Sequence, residues 1–411
     1  MKLNLSAVTD FTRLEALWRD LEDRADISFF QSWAWTGCLA EERFPNPVLL
    51  EARERDRVLA LALFNRTRSF HGKPNLWLGE SGNPLQDAIF IEKNGIVLDR
   101  ESPKELLVTC LTKARTVTIP APRPSRPFII HMSGVDERHL HAAQAFDRVA
   151  QVRTVCAPAI ELDMLRGSNN SLLPILSRNT RYQLRRSERM YAAAGPLRII
   201  RARTVEEAQL FLTELAKLHQ RYWTGRGRKG VFANPFFERF HRTLIYRAFQ
   251  TGATDLLKIT AGEETIGYLY NFTYRGHVSA YQSGFDYDVS KPHLKPGLTS
   301  HHLAIEMYLQ EGARCYDFLA GADRYKLSLA TSMVPMHWIE IGRQPLPPAL
   351  AKLLKIIQTR FYAAISPNGS EYTCLPAFRN RWPEDAQTAY LNRIRQFAKV
   401  DELPFYREIA C

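Results

Sequence analysis

Between Tyr281 and Lys326 the chain combines carboxylate, hydroxyl, glycine and lysine side chains with a pattern that indicates strand, helix and strand. The strand pattern over 278–285 leads through a proline-containing loop into a helix over about 298–310, and a second strand follows over 315–318. The first N–H groups of a helix are free and carry partial positive charge, so this point suits a phosphate group. Every crossover helix has such an end, so the signal is weak when it stands alone.

Bulk properties limit the class of protein. At 411 residues the chain is long enough for two or three domains, and 24% charged residues are typical of a globular protein. The sequence contains no run of ~18 apolar residues, so it predicts no membrane span. Its first residues contain no apolar signal core. The six cysteines stand singly, so we expect reduced thiols and a cytoplasmic location. A net charge of +12 favours an anionic partner, namely a nucleotide, an acidic carrier protein, nucleic acid or a membrane surface, or serves solubility alone.

The elements that must position these residues follow an order that occurs twice. A hairpin pattern over 48–67 aligns without a gap to a second hairpin pattern over 256–274. Each hairpin follows a capped helix and a tryptophan-containing loop, with Trp33 and Trp35 in the first half and Trp223 in the second. Two copies of one helix-plus-sheet unit are the simpler interpretation, and a chance likeness of two hairpins is the alternative.

Five segments carry a family resemblance: LSRNTRYQLRRSER, RYWTGRGRKGVF, TIGYLYNFTYRGHVSAYQSGFD, KPGLTSHHLAIEMYLQEGARCYDF and GADRYK. Their combination resembles the GNAT superfamily. More specifically, it looks like the BioF-like acetyltransferase branch, whose members are often labelled cellulose-biosynthesis acyltransferases. That branch is similar to the Fem-type aminoacyltransferases, which carry two GNAT units in tandem. The resemblance is strongest over about 171–329.

The resemblance implies an α/β fold with a mixed sheet, built from two tandem GNAT-like units. The expected division is a degenerate N-terminal unit over 1–165, a C-terminal acyltransferase unit over 166–345 and a helical tail over 346–411. The first unit is expected to lack a donor site, because nothing over 79–120 matches the KPGLTS segment.

The resemblance also implies transfer of an acyl group from a thioester to an amine. The donor, acyl-CoA or the phosphopantetheine of an acyl carrier protein, would lie in a wedge between the two predicted strands, beside Tyr281 and Gln282. Ordinary strand packing is an equal alternative for these two side chains. Its phosphate would meet the helix start. The implied cradle there is Lys295, Gly297, Leu298, Thr299 and Ser300. A single glycine departs from the common Gln/Arg-x-x-Gly-x-Gly/Ala run, which leaves the identity of the donor open.

Four residues are candidates for the chemistry that the resemblance implies. Asp286 or Asp317 would take a proton from the attacking ammonium or orient the amine. Asp286 could equally cap a turn, whereas Asp317 lies inside a strand, where a carboxylate needs a partner. Tyr325 would protonate the leaving thiolate, and Lys326 would hold a carboxylate or phosphate. A solvated loop is the alternative for both.

Further residues are candidates for substrate binding. Trp223 and Arg226 would shape an acceptor pocket, although tryptophan is more often core filler. Arg181 and Arg185 share a helix face that would meet an acidic carrier or a phosphate-bearing substrate, although such a face is often only solvated. His301 and His302, at the start of the predicted helix, are expected to be uncharged and not to bind a metal.

Three functions remain in competition. The first is an N-acyltransferase in which the amine attacks the thioester directly. The second is Fem-type transfer of an amino acid from aminoacyl-tRNA, which the basic charge suits. The third is a non-catalytic partner in envelope polysaccharide assembly. The acceptor in the first case would be a small-molecule amine or a sugar- or lipid-linked amine.

Overall fold

One mixed β-sheet runs through the described part of the chain. The structure, a computed structural model, describes residues 1–68, 74–116, 129–146, 149–167, 170–287, 290–321 and 323–342. Its strands are β1 (Lys2–Ala7), β2 (Pro47–Glu54), β3 (Arg57–Arg68), β4 (Pro74–Leu78), β5 (Val97–Leu98), β6 (Ile129–Val135), β7 (Val149–Glu161), β8 (Leu197–Arg201), β9 (Thr254–Ala261), β10 (Glu264–Tyr274), β11 (His277–Phe285), β12 (Cys315–Asp317) and β13 (Ser332–Ile341).

Several helices begin where a polar side chain accepts one of the first N–H groups. The Asp10 carboxylate accepts the N–H of Arg13, and the Thr204 hydroxyl accepts the N–H of Glu207, where the sequence predicts a cap. The helices are α1 (Phe11–Arg24), α2 (Trp33–Thr36), α3 (Ala40–Arg43), α4 (Pro84–Asp87), α5 (Leu106–Thr116), α6 (Glu137–Gln144), α7 (Leu162–Arg166), α8 (Arg178–Ala192), α9 (Val205–Thr224), α10 (Pro235–Ala248), α11 (Pro296–Gln310) and α12 (Arg324–Leu329).

The two ends of the sheet mirror each other. The strand order is β1-β2-β3-β4-β6-β13-β7-β12-β11-β10-β9-β8, with β5 beside β3. At each end an antiparallel series leads to a parallel pair, β4 with β6 and β11 with β12. The strands β7 and β13 then pair with each other at the centre. Because β7 also borders β12, and β13 also borders β6, each half of the chain contributes a strand to the other half of the sheet.

The predicted hairpins lie where the sequence places them. The strands β2 and β3 form the first hairpin and β9 and β10 the second, each with a register shift. The expectation of an α/β fold with a mixed sheet is confirmed. The boundaries of the units over 1–165 and 166–345 stay predictions, and the tail over 346–411 lies outside the described residues.

An aromatic core joins the two halves. Phe29 stacks on Phe272 at 4.3 Å between ring centroids, and Trp35 meets Phe240 edge-on at 5.0 Å. All four side chains are buried in one apolar cluster that also takes Tyr281. Because rings from both halves interlock there, neither half can lose its share of the core without exposing the other.

Cysteine pairing departs in part from expectation. Cys38, Cys110 and Cys315 are free and buried. Cys156 is disulfide-bonded, so the expectation of a reduced thiol is wrong for that residue. Isolated cysteines carry no spacing signal, because pairing depends on which residues the fold brings together. Among the described helices, none is long and apolar enough to cross a membrane.

Replacing Trp35 with alanine tests the shared core. The side chain is fully buried, and its removal is expected to lower the free energy of unfolding by about 3–5 kcal/mol. Hydrogen exchange across a denaturant series measures the effect in β3 and β10 separately. Both strands are expected to lose protection together, and loss in β3 alone would contradict a common core.

Candidate functional site

A wedge opens between β11 and β12. The two strands pair in parallel only from His277 to Ser279, opposite Cys315 to Asp317. Beyond Ser279, β12 ends, whereas β11 continues for six residues and carries a bulge at Tyr281. A bulge leaves a residue without a partner in the ladder. The half-buried Gln282 follows, and no described residue accepts or donates a hydrogen bond to its side chain.

Tyr281 points into the shared core. Its hydroxyl donates to the carbonyl oxygen of Ile89 in the first half of the chain. Nε2 of His241 lies 3.0 Å from the same hydroxyl and therefore donates to it. Burial holds the pKa of His241 well below its usual value, so the ring is neutral. Tyr281 thus anchors the loop after Ile89.

That loop reaches from the first half of the chain into the base of the wedge. Lys93 forms an ion pair with the buried carboxylate of Asp317, at the last residue of β12. The other carboxylate oxygen of Asp317 accepts the N–H of Leu319 at 2.7 Å. Burial alone would lower the pKa of Lys93, but the charge of Asp317 raises it overall. Both oxygens of Asp317 are therefore occupied, and the residue is a structural anchor of the wedge.

Glu92 stands beside this pair and is partly accessible. One oxygen accepts the N–H of Ala320 at 2.6 Å, and within the described ranges the second oxygen has no partner. Burial raises the pKa of Glu92 to about 7, with the hydrogen bond from Ala320 and the charge of Lys326 acting in the opposite direction. Lys326 donates to the carbonyl oxygens of Phe318 and Ala320 at 2.8 and 2.9 Å, and burial lowers its pKa. Near neutral pH, Glu92 can therefore both bind and release a proton.

Tyr325 lies on the helix side of the wedge. Its ring stacks on His301 with 5.1 Å between centroids, and burial raises its pKa well above 10. Its hydroxyl is therefore protonated at neutral pH. Burial also lowers the pKa of His301 to about 3, so that ring is neutral as expected. Nδ1 of His301 meets the hydroxyl of Tyr316 at 2.9 Å, and Nε2 is buried without a partner among the described residues.

The predicted phosphate cradle is covered. The Ser187 hydroxyl, on α8, accepts the N–H of Lys295 at 2.9 Å and meets the hydroxyl of Thr299 at 2.9 Å. A side chain on Gly297 would approach the ring of Phe285 at 3.1 Å. Buried residues make up the rest of this helix start, namely Pro296, Leu298, Thr299 and Ser300. A donor phosphate would have to take the place of the Ser187 hydroxyl.

An aromatic rim adjoins this helix start. Tyr287 packs against Tyr222 at 4.8 Å between centroids, and Arg226 covers the Tyr222 ring at 3.6 Å. Trp223 is half-buried and donates to Nε2 of His219 at 3.0 Å. Asp286, at the end of β11, is half-exposed and pairs with Arg221 at 3.3 Å. The rim thus holds Trp223 and Arg226 against Tyr222, and Asp286 lies near it through Arg221.

The candidate residues of α8 face solvent instead. Arg185 is exposed, and half-buried Arg181 donates to the carbonyl oxygen of Pro174 at 2.9 Å. Neither forms an ion pair with a described residue. The structure therefore separates these arginines from the wedge, which lies on the opposite side of α8.

His302 is charged, contrary to expectation. Its Nδ1 lies 2.8 Å from Glu188 of α8, and its Nε2 lies 3.5 Å from Glu306. Burial alone would lower the pKa, but the two carboxylates raise it to about 9. Glu306 lies four residues after His302 on α11, so spacing within this helix indicates that contact, whereas Glu188 comes from α8 and has no such signal.

Three residues of the site escape sequence reasoning. Glu92 and Lys93 lie in a segment that matches no motif, about 225 positions before Asp317. Ser187 lies inside a basic helix that draws attention by its arginines. The one available signal was Asp317 itself, since a strand carboxylate requires a partner and Lys93 is that partner.

Residues 178–327 match the family described as acetyltransferase (GNAT) domain, which confirms the resemblance to that superfamily. No curated protein matches the sequence.

The fold of a solved structure covers both halves of the chain. The crystal structure of FemX has a TM-score of 0.54 and 11% identity, covering 86% of this chain and all of FemX. L-PGS from Bacillus licheniformis has a TM-score of 0.48 and 9% identity, covering 86% and 97%. A tandem GNAT protein from the clavulanic acid pathway has a TM-score of 0.40 and 11% identity, covering 84% and 100%. The likeness to FemX shows a shared fold.

Replacing Lys93 with alanine should be strongly destabilising. The change leaves the carboxylate of Asp317 buried and unpaired, at an expected loss of about 3–5 kcal/mol in unfolding free energy. Adding Asp317→Asn removes the charge and should recover part of that loss. Denaturant unfolding of the two single variants and the double variant measures the coupling. Additive effects of the two changes would contradict the ion pair.

The charge of His302 predicts a pH-dependent stability. A pKa raised from 6.5 to about 9 stabilises the fold fully below pH 6.5, and this contribution disappears as pH rises through 9. His302→Gln should remove about 2–3 kcal/mol of pH dependence between pH 6 and 9.5. His301→Gln is the control over pH 7.5 to 9.5, where His301 is neutral both in the fold and in the unfolded chain. Equal pH profiles for His302→Gln and the unaltered protein would contradict a charged His302.

Proposed function

We propose that the protein transfers an acyl group from a thioester to an amine. The reason is that residues 178–327 match the GNAT acetyltransferase domain family. The observation that carries the proposal is the wedge. Where β11 and β12 part, Glu92, with a pKa of about 7, accepts the N–H of Ala320, and the protonated Tyr325 packs against Phe318; both contacts lie just after β12 and support the proposal. We also infer that the two halves are tandem copies of one unit, which the mirrored strand order supports.

Glu92 is the proposed proton acceptor. Its free oxygen would take a proton from the attacking ammonium, since its pKa lies near the operating pH. The amine nitrogen then bonds to the acyl carbon, the carbon–sulfur bond breaks, and the nitrogen loses its second proton to solvent, which leaves a neutral amide. Tyr325 would give its proton to the departing thiolate and recover one from solvent. Asp317 would act indirectly, because its ion pair with Lys93 fixes the backbone that carries Glu92.

The other candidate residues take positioning roles in this proposal. The acyl arm would lie along β11 beside Gln282, where the strand edge is unpaired. Lys326 would hold the turn at Ala320 through its two carbonyl contacts. Asp286, Trp223 and Arg226 would contact the acceptor at the rim.

The donor is proposed to be acyl-CoA or an acyl carrier protein. In either case the phosphate of the donor would displace the Ser187 hydroxyl from the start of α11. It would then meet the backbone of Lys295, Gly297 and Leu298 and the hydroxyl of Thr299. Transfer from aminoacyl-tRNA is the second candidate, favoured by the net charge of +12.

The pH profile of a Glu92→Gln variant tests the function and the role together. The unaltered protein should show kcat/KM rising with pH through about 7, as Glu92 loses its proton. In the variant, kcat/KM should fall by about 10²- to 10⁴-fold, and its rise with pH near 7 should disappear. Glu101→Gln is the matched control, because Glu101 is an exposed carboxylate on another loop. An unchanged limb in Glu92→Gln would overturn the role of Glu92, and no amide from any thioester donor would overturn the function.

A further inference from the structure

The outer face of α8 concentrates uncompensated positive charge. Within the described residues, none of its five arginines forms an ion pair. Arg178, Arg185 and Arg189 are exposed and follow spacings of seven and four, which place them along one side of the helix. Each guanidinium offers several donors in a fixed fork that suits carboxylates. The five arginines are Arg178, Arg181, Arg185, Arg186 and Arg189.

Large apolar side chains are exposed on the same surface. Tyr182 is 57% exposed and Met190 is 37% exposed, and both lie among the arginines of α8. Just before the helix, Ile175 is 43% exposed. A face that only keeps the protein in solution has no use for such residues. Arginine, tyrosine and methionine together are enriched where proteins meet other proteins.

The inner face of α8 touches the donor side of the wedge. Leu184 and Ser187 are buried there, and Ser187 binds the backbone at the start of α11. A partner on the outer face would therefore sit one helix away from the point where a donor enters. The helix of 15 residues is about 22 Å long, which is more than one small molecule spans.

We propose that the outer face of α8, defined by Arg178, Tyr182, Arg185, Arg189 and Met190, docks an acidic carrier protein that delivers the acyl thioester. This inference rests on the proposed function and specifies its donor. Acidic side chains of the carrier would pair with the guanidinium groups, and an apolar contact would cover Tyr182 and Met190. RNA fits less well, because its phosphates would pair with the guanidinium groups and leave the Met190 side chain without an apolar contact.

Binding of a holo acyl carrier protein without an acyl group tests the docking apart from the chemistry. Isothermal titration of Arg185→Glu/Arg189→Glu should show affinity at least tenfold weaker than that of the unaltered protein, and Tyr182→Ala should also weaken binding. Added salt should reduce the affinity of the unaltered protein, because exposed charges are screened. Arg13→Glu is the matched control, since Arg13 is exposed on α1, and it should bind as the unaltered protein does. Circular dichroism checks that each variant is folded.

The outcomes separate the docking surface from the proposed function. Carrier binding that is equal in the double variant and the unaltered protein, or no carrier binding at all, would overturn the docking surface. Binding of tRNA or of anionic phosphatidylglycerol vesicles that is lost in Arg185→Glu/Arg189→Glu, with no carrier binding, would replace the carrier as occupant. Carrier binding through α8 without amide formation from any thioester would leave the surface in place and overturn the acyl transfer.

Discussion

A carboxylate buried at the point where two strands separate needs a cation, and the cation comes from the other half of the chain. Asp317 ends β12, and Lys93 meets it from a loop that precedes β5. This contact sets the position of the neighbouring Glu92, whose hydrogen bond to Ala320 fixes the turn after β12. The geometry of the wedge therefore depends on an ion pair between the halves, and the second half alone would not hold it.

The aromatic core and the exchanged strands also hold the two halves of the chain together. The rings of Phe29, Trp35 and Phe272 interlock, and Tyr281 ties β11 to the carbonyl oxygen of Ile89. The loop that carries Glu92 is thus held at Ile89 and again at Lys93. In the proposed function, the first half is essential even if it binds no donor of its own, because it supplies the proposed proton acceptor Glu92 and the anchor Lys93 to the site of the other half.

Local patterns predicted the fold well because strands and helices follow from periodicity. The two hairpins, the crossover helix α11 and the cap at Thr204 all lie where the sequence indicates them. The site was harder to predict, because its chemistry depends on residues far apart in sequence. Asp317 was expected to be catalytic or paired, and only the fold shows Lys93 as the partner. For Tyr281 the sequence left the wedge and ordinary strand packing open, and the bulge and the bond to Ile89 direct the side chain into the core.

Burial also changes charge in ways that spacing does not reveal. His302 was expected to be neutral, yet Glu188 from α8 and Glu306 keep it protonated. Ser187 covers a helix start that the sequence presents as free. In both cases the decisive neighbour lies on α8, which local motifs within 296–310 cannot indicate.

The most direct test of the account is the stoichiometry of a single turnover with an acyl thioester and a primary amine. Mass spectrometry would measure the amide, and a thiol reagent would measure the released thiol. If the amine attacks the thioester directly, as proposed, one amide forms for each thiol released, and no acylated protein appears. An acylated protein that forms before the amide, or consumption of aminoacyl-tRNA with all thioesters untouched, would contradict it.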